Sequence, residues 1–224
     1  MSNTTIASGV PASFAKRKKN DSFTLLQGIA LILLTLVVSV GGWYLVGKNY
    51  FWTGLDRNRI NQQLEHLQEK VKADPKNLEI RVALGYTYFL KGDNKQAIKE
   101  LNEVLKVNKK YYDAYYNLGL VYLDEDEPDE ALEMFQKAIE ISPKDYKGYL
   151  QKGIVFREMK KYKEAVDTLQ KANQLAPRNA DIIYQIGLVA EEKGDKDIAI
   201  GIYKEALSYD PLYKDAKKAL ERLQ

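Results

Sequence analysis

Gly85, Gly119, Gly153 and Gly187 stand 34 residues apart, and Ala97, Ala131, Ala165 and Ala199 follow each of them by 12. Two small-residue positions recurring four times at one period leave few ways for the chain to fold. A period of this length marks a repeat array, in which each unit stacks only on its neighbours and function is sought on an extended surface.

The larger residues keep the same rhythm. Arg81, Tyr115, Tyr149 and Ile183 lie four before the glycines, and Tyr88, Tyr122, Phe156 and Ala190 lie three after. Leu101, Phe135, Leu169 and Tyr203 come four after each alanine, and Val104, Ala138, Ala172 and Ala206 three later. Spacings of three and four place side chains on one helical stripe. Each unit therefore reads as two helices around a short polar turn, at Gly92-Asp93-Asn94, Glu127-Pro128, Lys160-Lys161 and Gly194-Asp195. A residue no larger than a methyl lets two helix backbones approach, and Pro143, Pro177 and Pro211 close units because proline cannot continue a helix.

This pattern resembles the tetratricopeptide repeat family over about two-thirds of the chain, Leu78 to Gln224. The units run 78–111, 112–145, 146–179 and 180–211. The resemblance implies an all-α, right-handed superhelix of antiparallel helix pairs whose first helices line a concave face. Three departures stand out. Lys109 replaces the first closing proline, so the second helix of that unit is expected to run on or end loosely. Lys152 sits where a large apolar residue usually packs, and Ala190 thins the fourth unit at an aromatic position.

Both ends of the array look capped. After Pro211, Leu212, Ala216, Ala219 and Leu220 give residues 212–224 the pattern of a helix that shields the last pair from water. Residues 47–77 read as a juxtamembrane linker and a helix from about Asp56 to Lys72, with Ile60, Leu64, Leu67 and Val71 on one stripe. Pro75 is in phase with the later prolines, so this helix is either a cap or the second half of a degenerate unit.

Phe23 to Val46 holds 24 residues and no charge. About 20 apolar residues cross a bilayer core, and Trp43, Tyr44, Tyr50, Phe51 and Trp52 gather where an interfacial aromatic belt belongs. Residues 23–46 are therefore expected to form one transmembrane helix. Residues 1–22 form a tail, small, polar and expected to be disordered, which ends in the basic run Lys16 to Lys19. By the positive-inside rule the tail faces the cytoplasm and the repeats lie outside a bacterial-type cell membrane. The rival reading is a cleaved signal peptide with Ser39-Val40-Gly41 as its site. A signal core runs about 7–15 residues, and this apolar stretch continues well beyond that. A lipoprotein anchor needs a cysteine, and the chain has none.

Charge and chemistry narrow the function. The net charge of +3 owes much to the N-terminal basic run, and lysines alternate with glutamates through the repeats. That mixture suits solvated helix faces and lacks the basic stripe a nucleic acid requires. With no cysteine and a single histidine, His66, the usual nucleophile–base pairs cannot be assembled. His66 has only Glu65 and Glu69 beside it, too few ligands for a metal. The acidic run Asp124 to Glu130 lacks the alternating ligands and glycine of a calcium loop. No phosphate-binding loop is present. The reading is of a protein without catalysis, cofactor or metal.

The family resemblance implies that the groove is lined three before, one after and four after each glycine. Those residues are Val82, Tyr86 and Phe89; Tyr116, Leu120 and Leu123; Leu150, Ile154 and Arg157; and Tyr184, Leu188 and Glu191, with Asn117, Lys147, Gln151 and Gln185 adjacent. Leu120, Ile154 and Leu188 serve equally well as packing. The tyrosines suit a partly wet binding surface, being apolar on the face and polar at the tip. The family's carboxylate clamp maps onto Val82, Tyr86, Asn117, Lys147 and Gln151, and only Asn117 and Lys147 match it. The expected guest is therefore a helix or extended protein segment with large apolar side chains. The function that follows is a membrane-anchored scaffold or adaptor in an envelope complex or its assembly. The alternative is a structural subunit that self-associates or braces a membrane complex.

Overall fold

A glycine every 34 residues implies a partner too close to tolerate a side chain, and each unit supplies one. A Cβ on Gly119 would lie 2.6 Å from Cε1 of Phe135, and one on Gly187 would lie 2.5 Å from Cε1 of Tyr203. Leu101 and Leu169 stand in the same relation to Gly85 and Gly153. The second helix of each unit thus drops its largest core residue onto the bare backbone of the first.

The computed structural model describes residues 53–224, and among them it has ten helices and no strand. The tail, the apolar segment 23–46 and the first part of the linker lie outside the described residues. Helix α1 spans Thr53–Ala73. The four pairs are α2 (Leu78–Lys91) with α3 (Asn94–Val107), α4 (Tyr112–Asp124) with α5 (Pro128–Ile141), α6 (Tyr146–Glu158) with α7 (Tyr162–Leu175), and α8 (Ala180–Glu192) with α9 (Lys196–Tyr209). Helix α10 spans Lys214–Leu223. Among the described residues no helix is long and apolar enough to cross a membrane.

The turns inside the pairs share one geometry. Gly92, Asp126, Lys160 and Gly194 occupy the same position with φ of 81°, 59°, 58° and 88°. The next N–H then reaches back to a carbonyl near the end of the first helix, from Asp93 to Tyr88 at 2.9 Å and from Lys161 to Phe156 at 2.8 Å. This left-handed cap satisfies carbonyls that a helix end leaves free. Several helix starts are capped by side chains: Asn77, Asp93, Asp145 and Asn179 each accept from a backbone N–H in the first turn.

Packing between units completes the core. Val82, Leu101, Val104, Leu118 and Val121 join units one and two, Phe135 and Val155 join two and three, and Leu150, Leu169, Ile182 and Val189 join three and four. Burying each such side chain contributes roughly 1.5–3 kcal/mol. Successive first helices touch, α2 with α4 and α6 with α8, a closeness that no successive second helices reach. The first helices therefore form the inner side of the curve.

Several expectations are amended by this packing. Without a closing proline, α3 nevertheless ends at Val107, at the same position in its unit as Ile141, Leu175 and Tyr209 end theirs. Asn108 turns the chain there: its side chain accepts from the Lys110 N–H at 2.9 Å. Lys152 lays its stem along the core and delivers its ammonium to Gln136 Oε1 at 2.6 Å, over the Phe156 ring. Ala190 is buried because Tyr203 and the closing helix fill the space its missing ring leaves. Leu212 is 86% exposed in the turn before α10, and the cap is held instead by Ala216, Ala219, Leu220, Leu223 and Tyr213. Helix α1 ends 34 residues before α3 ends, and Leu67 is in phase with Leu101. It thus occupies the place in the stack that the second helix of a unit takes, packing Leu64 and Leu67 against Leu84 of α2.

Candidate functional site

The first residues of α2 and α4 face each other across the inner side, and their side chains decide what lies there. Glu79, Val82, Ala83 and Tyr86 descend one turn after another along α2. Tyr112, Asp113, Tyr116, Asn117 and Leu120 do the same along α4, and Lys147 enters from the start of α6. Together they line an open cavity of about 430 Å³. Its floor is apolar and its rim carries two carboxylates and an ammonium.

The three tyrosines are held differently. Tyr86 is 39% exposed, tilted against Phe89 with ring centroids 6.0 Å apart. Tyr116 is half-buried between Tyr112, stacked at 5.9 Å, and the edge of Phe135 at 5.8 Å. Burial pushes the Tyr116 phenol up, partly offset by a hydrogen bond with Gln151. Burial, reinforced by the Asp145 carboxylate, pushes Tyr112 well above the usual range. The Tyr112 hydroxyl is nonetheless buried without a hydrogen bond of normal geometry. Both phenols therefore stay neutral at physiological pH and keep a proton to donate.

Of the residues read from sequence, Val82, Tyr86, Tyr116, Asn117, Leu120 and Lys147 come together in this cavity. Val82 is nearly closed off from solvent, so it serves as floor. Phe89 packs against the core of units one and two, and Gln151 reaches the site only through Tyr116. Leu150 and Ile154 belong to the packing of units three and four. Gln185 is half-buried, and Leu188 packs against the closing helix. Tyr184 is wedged between Tyr203 at 5.6 Å and Tyr213 at 5.3 Å.

The fourth unit's part of the inner face is taken up by internal contacts. Arg157 pairs with Glu192 and Glu158, and Arg222 of α10 pairs with Glu191 at 2.7 Å. Tyr203 donates to Glu191 at 2.5 Å, and Tyr213 donates to Asp181 at 3.0 Å. The open part of the groove is consequently that of units one to three. Sequence reasoning missed Glu79, Ala83, Tyr112 and Asp113. The signal was there for two of them, because Glu79, Asp113, Lys147 and Asp181 form a 34-residue column of charged residues. Among the described residues no group of three or more histidines, aspartates and glutamates converges as a metal site would require.

Comparison with known proteins agrees with this architecture. Models of the tetratricopeptide repeat match residues 112–145, 146–179 and 180–211, and a TPR repeat model matches 85–126. Among solved structures the chain is similar to MamA, at 28% identity with a TM-score of 0.61 over 74% of this chain and 95% of that one. YrrB, described as a TPR protein with an unusual peptide-binding site, is 20% identical with a TM-score of 0.58, over 71% and 82% of the two chains. TTC0263, a thermophilic TPR protein of Thermus thermophilus, is 19% identical with a TM-score of 0.64, over 74% and 91%. The last two likenesses concern fold alone. No curated protein matches the sequence.

Proposed function

This chain belongs to the tetratricopeptide repeat family, and from that premise we propose that it is a membrane-tethered scaffold. In this reading units one to three hold a protein or peptide segment, and the uncharged stretch 23–46 fixes them to a membrane. The observation that carries it is the cavity between α2 and α4. Tyr86, Tyr112 and Tyr116 offer ring surface to an apolar side chain of the guest, over a floor of Val82 and Ala83. Such a surface binds; it offers no nucleophile and base within reach of one another. The basic run at Lys16 to Lys19 favours a cytoplasmic N-terminus with the repeats on the far side of a bacterial cell membrane, in an envelope complex or its assembly.

Tyr86 tests the reading because it is the most exposed of the three rings and can change without unpacking the core. Tyr86→Glu in the full chain is expected to abolish partner crosslinking in gently solubilised native membranes, with helical content unchanged. Undiminished crosslinking would sink the proposal. Protease access in intact cells checks the orientation, and extraction at alkaline pH checks the tether.

A further inference from the structure

The groove reading leaves the guest's chemistry open, and the rim narrows it. Glu79, Asp113 and Lys147 are each the second residue of their first helix, one per unit. All three line the same cavity, and none forms an ion pair among the described residues. The fourth member of the column, Asp181, is engaged by the Tyr213 hydroxyl. Along the groove the open rim therefore reads negative, negative, positive. Lys147 is also placed against local preference, since a helix N-terminus favours anions and α6 carries no acidic residue in its first turn.

We infer that the guest is an extended segment of complementary polarity: a large apolar anchor between Tyr86 and Tyr116, a basic residue over Glu79 and Asp113, and an acidic residue facing Lys147. This rests on the groove reading above. Packed helices lie roughly 8–10 Å apart, and an extended chain advances about 3.3 Å per residue. A basic residue midway between Glu79 and Asp113 then lies one and a half spacings, about 12–15 Å, from the acidic residue at Lys147, which is about four positions along the guest. Complementary rim charges set register and reject wrong partners more than they add affinity.

The experiment is selection from a random displayed-peptide library on the full chain in detergent micelles, run in parallel on Lys147→Glu and on Tyr86→Glu. Peptides enriched on the parent are expected to carry a basic residue and an acidic residue about four apart, flanking or adjoining an aromatic or branched aliphatic one. They should lose roughly fivefold in affinity on Lys147→Glu, in the range exposed charge pairs give. The Lys147→Glu selection should return peptides whose acidic residue has become basic. Enriched peptides that need Tyr86 but show no charge pattern overturn this inference and leave the groove reading standing. Enrichment indifferent to Tyr86→Glu, or none at all, overturns both. Lys147 and Tyr86 are both exposed, and circular dichroism of each variant verifies that it folds.

Discussion

The pairing of Gly119 with Phe135 makes one stability prediction unusually clean, because the same substitution can be made where nothing opposes it. Gly119 lies inside α4 and Gly201 inside α9. Replacing either by alanine gains the same helix propensity, about 1 kcal/mol. At Gly201 the added methyl meets nothing within 4 Å, so that gain stands alone. At Gly119 the methyl would lie 2.6, 2.7 and 2.8 Å from three ring carbons of Phe135. That ring is fully buried and set against Tyr116 and Val155. It cannot swing away, and forcing extra volume into such a core costs about 1–3 kcal/mol. Propensity cancels in the comparison, so Gly119→Ala should be less stable than Gly201→Ala by that packing cost alone. At about 2–4 °C per kcal/mol for a chain of this size, the two melting temperatures should differ by about 2–12 °C. Thermal melts of the full chain in detergent, followed by far-ultraviolet circular dichroism, read this directly. Phe135→Leu should shrink the difference by removing ring atoms. If both alanines raise the melting temperature equally, the close approach of the paired helices is not what fixes this fold.

Two further outcomes follow from the turns and the tyrosines. Gly194→Ala, at φ 88°, should cost about 1–2 kcal/mol, whereas Lys160→Gly, at φ 58° in the equivalent turn, should raise the melting temperature; the reverse order rejects a strained turn. Unfolded tyrosine releases its proton near pH 10, while burial, aided by Glu191 and Asp181, holds the Tyr203 and Tyr213 protons to higher pH. The unfolded chain then binds fewer protons above pH 10, so stability is steady below that pH and falls above it; Tyr213→Phe should make the fall shallower, and an unchanged slope in alkaline melts counts against the assignment.

The helical pairs were legible because each unit solves one packing problem with one set of residues. The period showed where a methyl-sized residue must stand and where a large one must fill the gap. It did not show that Tyr203 would cover for the small Ala190, because compensation between helices is a contact, and spacing within a helix cannot express it. The groove was legible only in part, for a related reason. Tyr116 and Tyr184 are in phase and read alike, yet one borders an open cavity and the other is clamped between Tyr203 and Tyr213. What separates them is α10 and the Tyr213 that caps its start, which with Arg222 fold back onto the fourth unit.

That contrast says where functional information resides in a repeat array. Positions that build the stack must recur, and Gly85, Gly119, Gly153 and Gly187 do so without exception. A ligand that spans several units meets each of them once, so discrimination among ligands must come from positions that change between units. The second residue of the first helices is such a position: Glu79, Asp113, Lys147 and Asp181 share a place in the fold and differ in charge. Exchanging Glu79 and Lys147 would preserve net charge and every core contact, since both side chains are exposed. It would reverse the polarity of the open rim. If the units differ there by chance, peptide preference should survive the exchange; if the differences select the guest, preference should reverse while the melting temperature stays put.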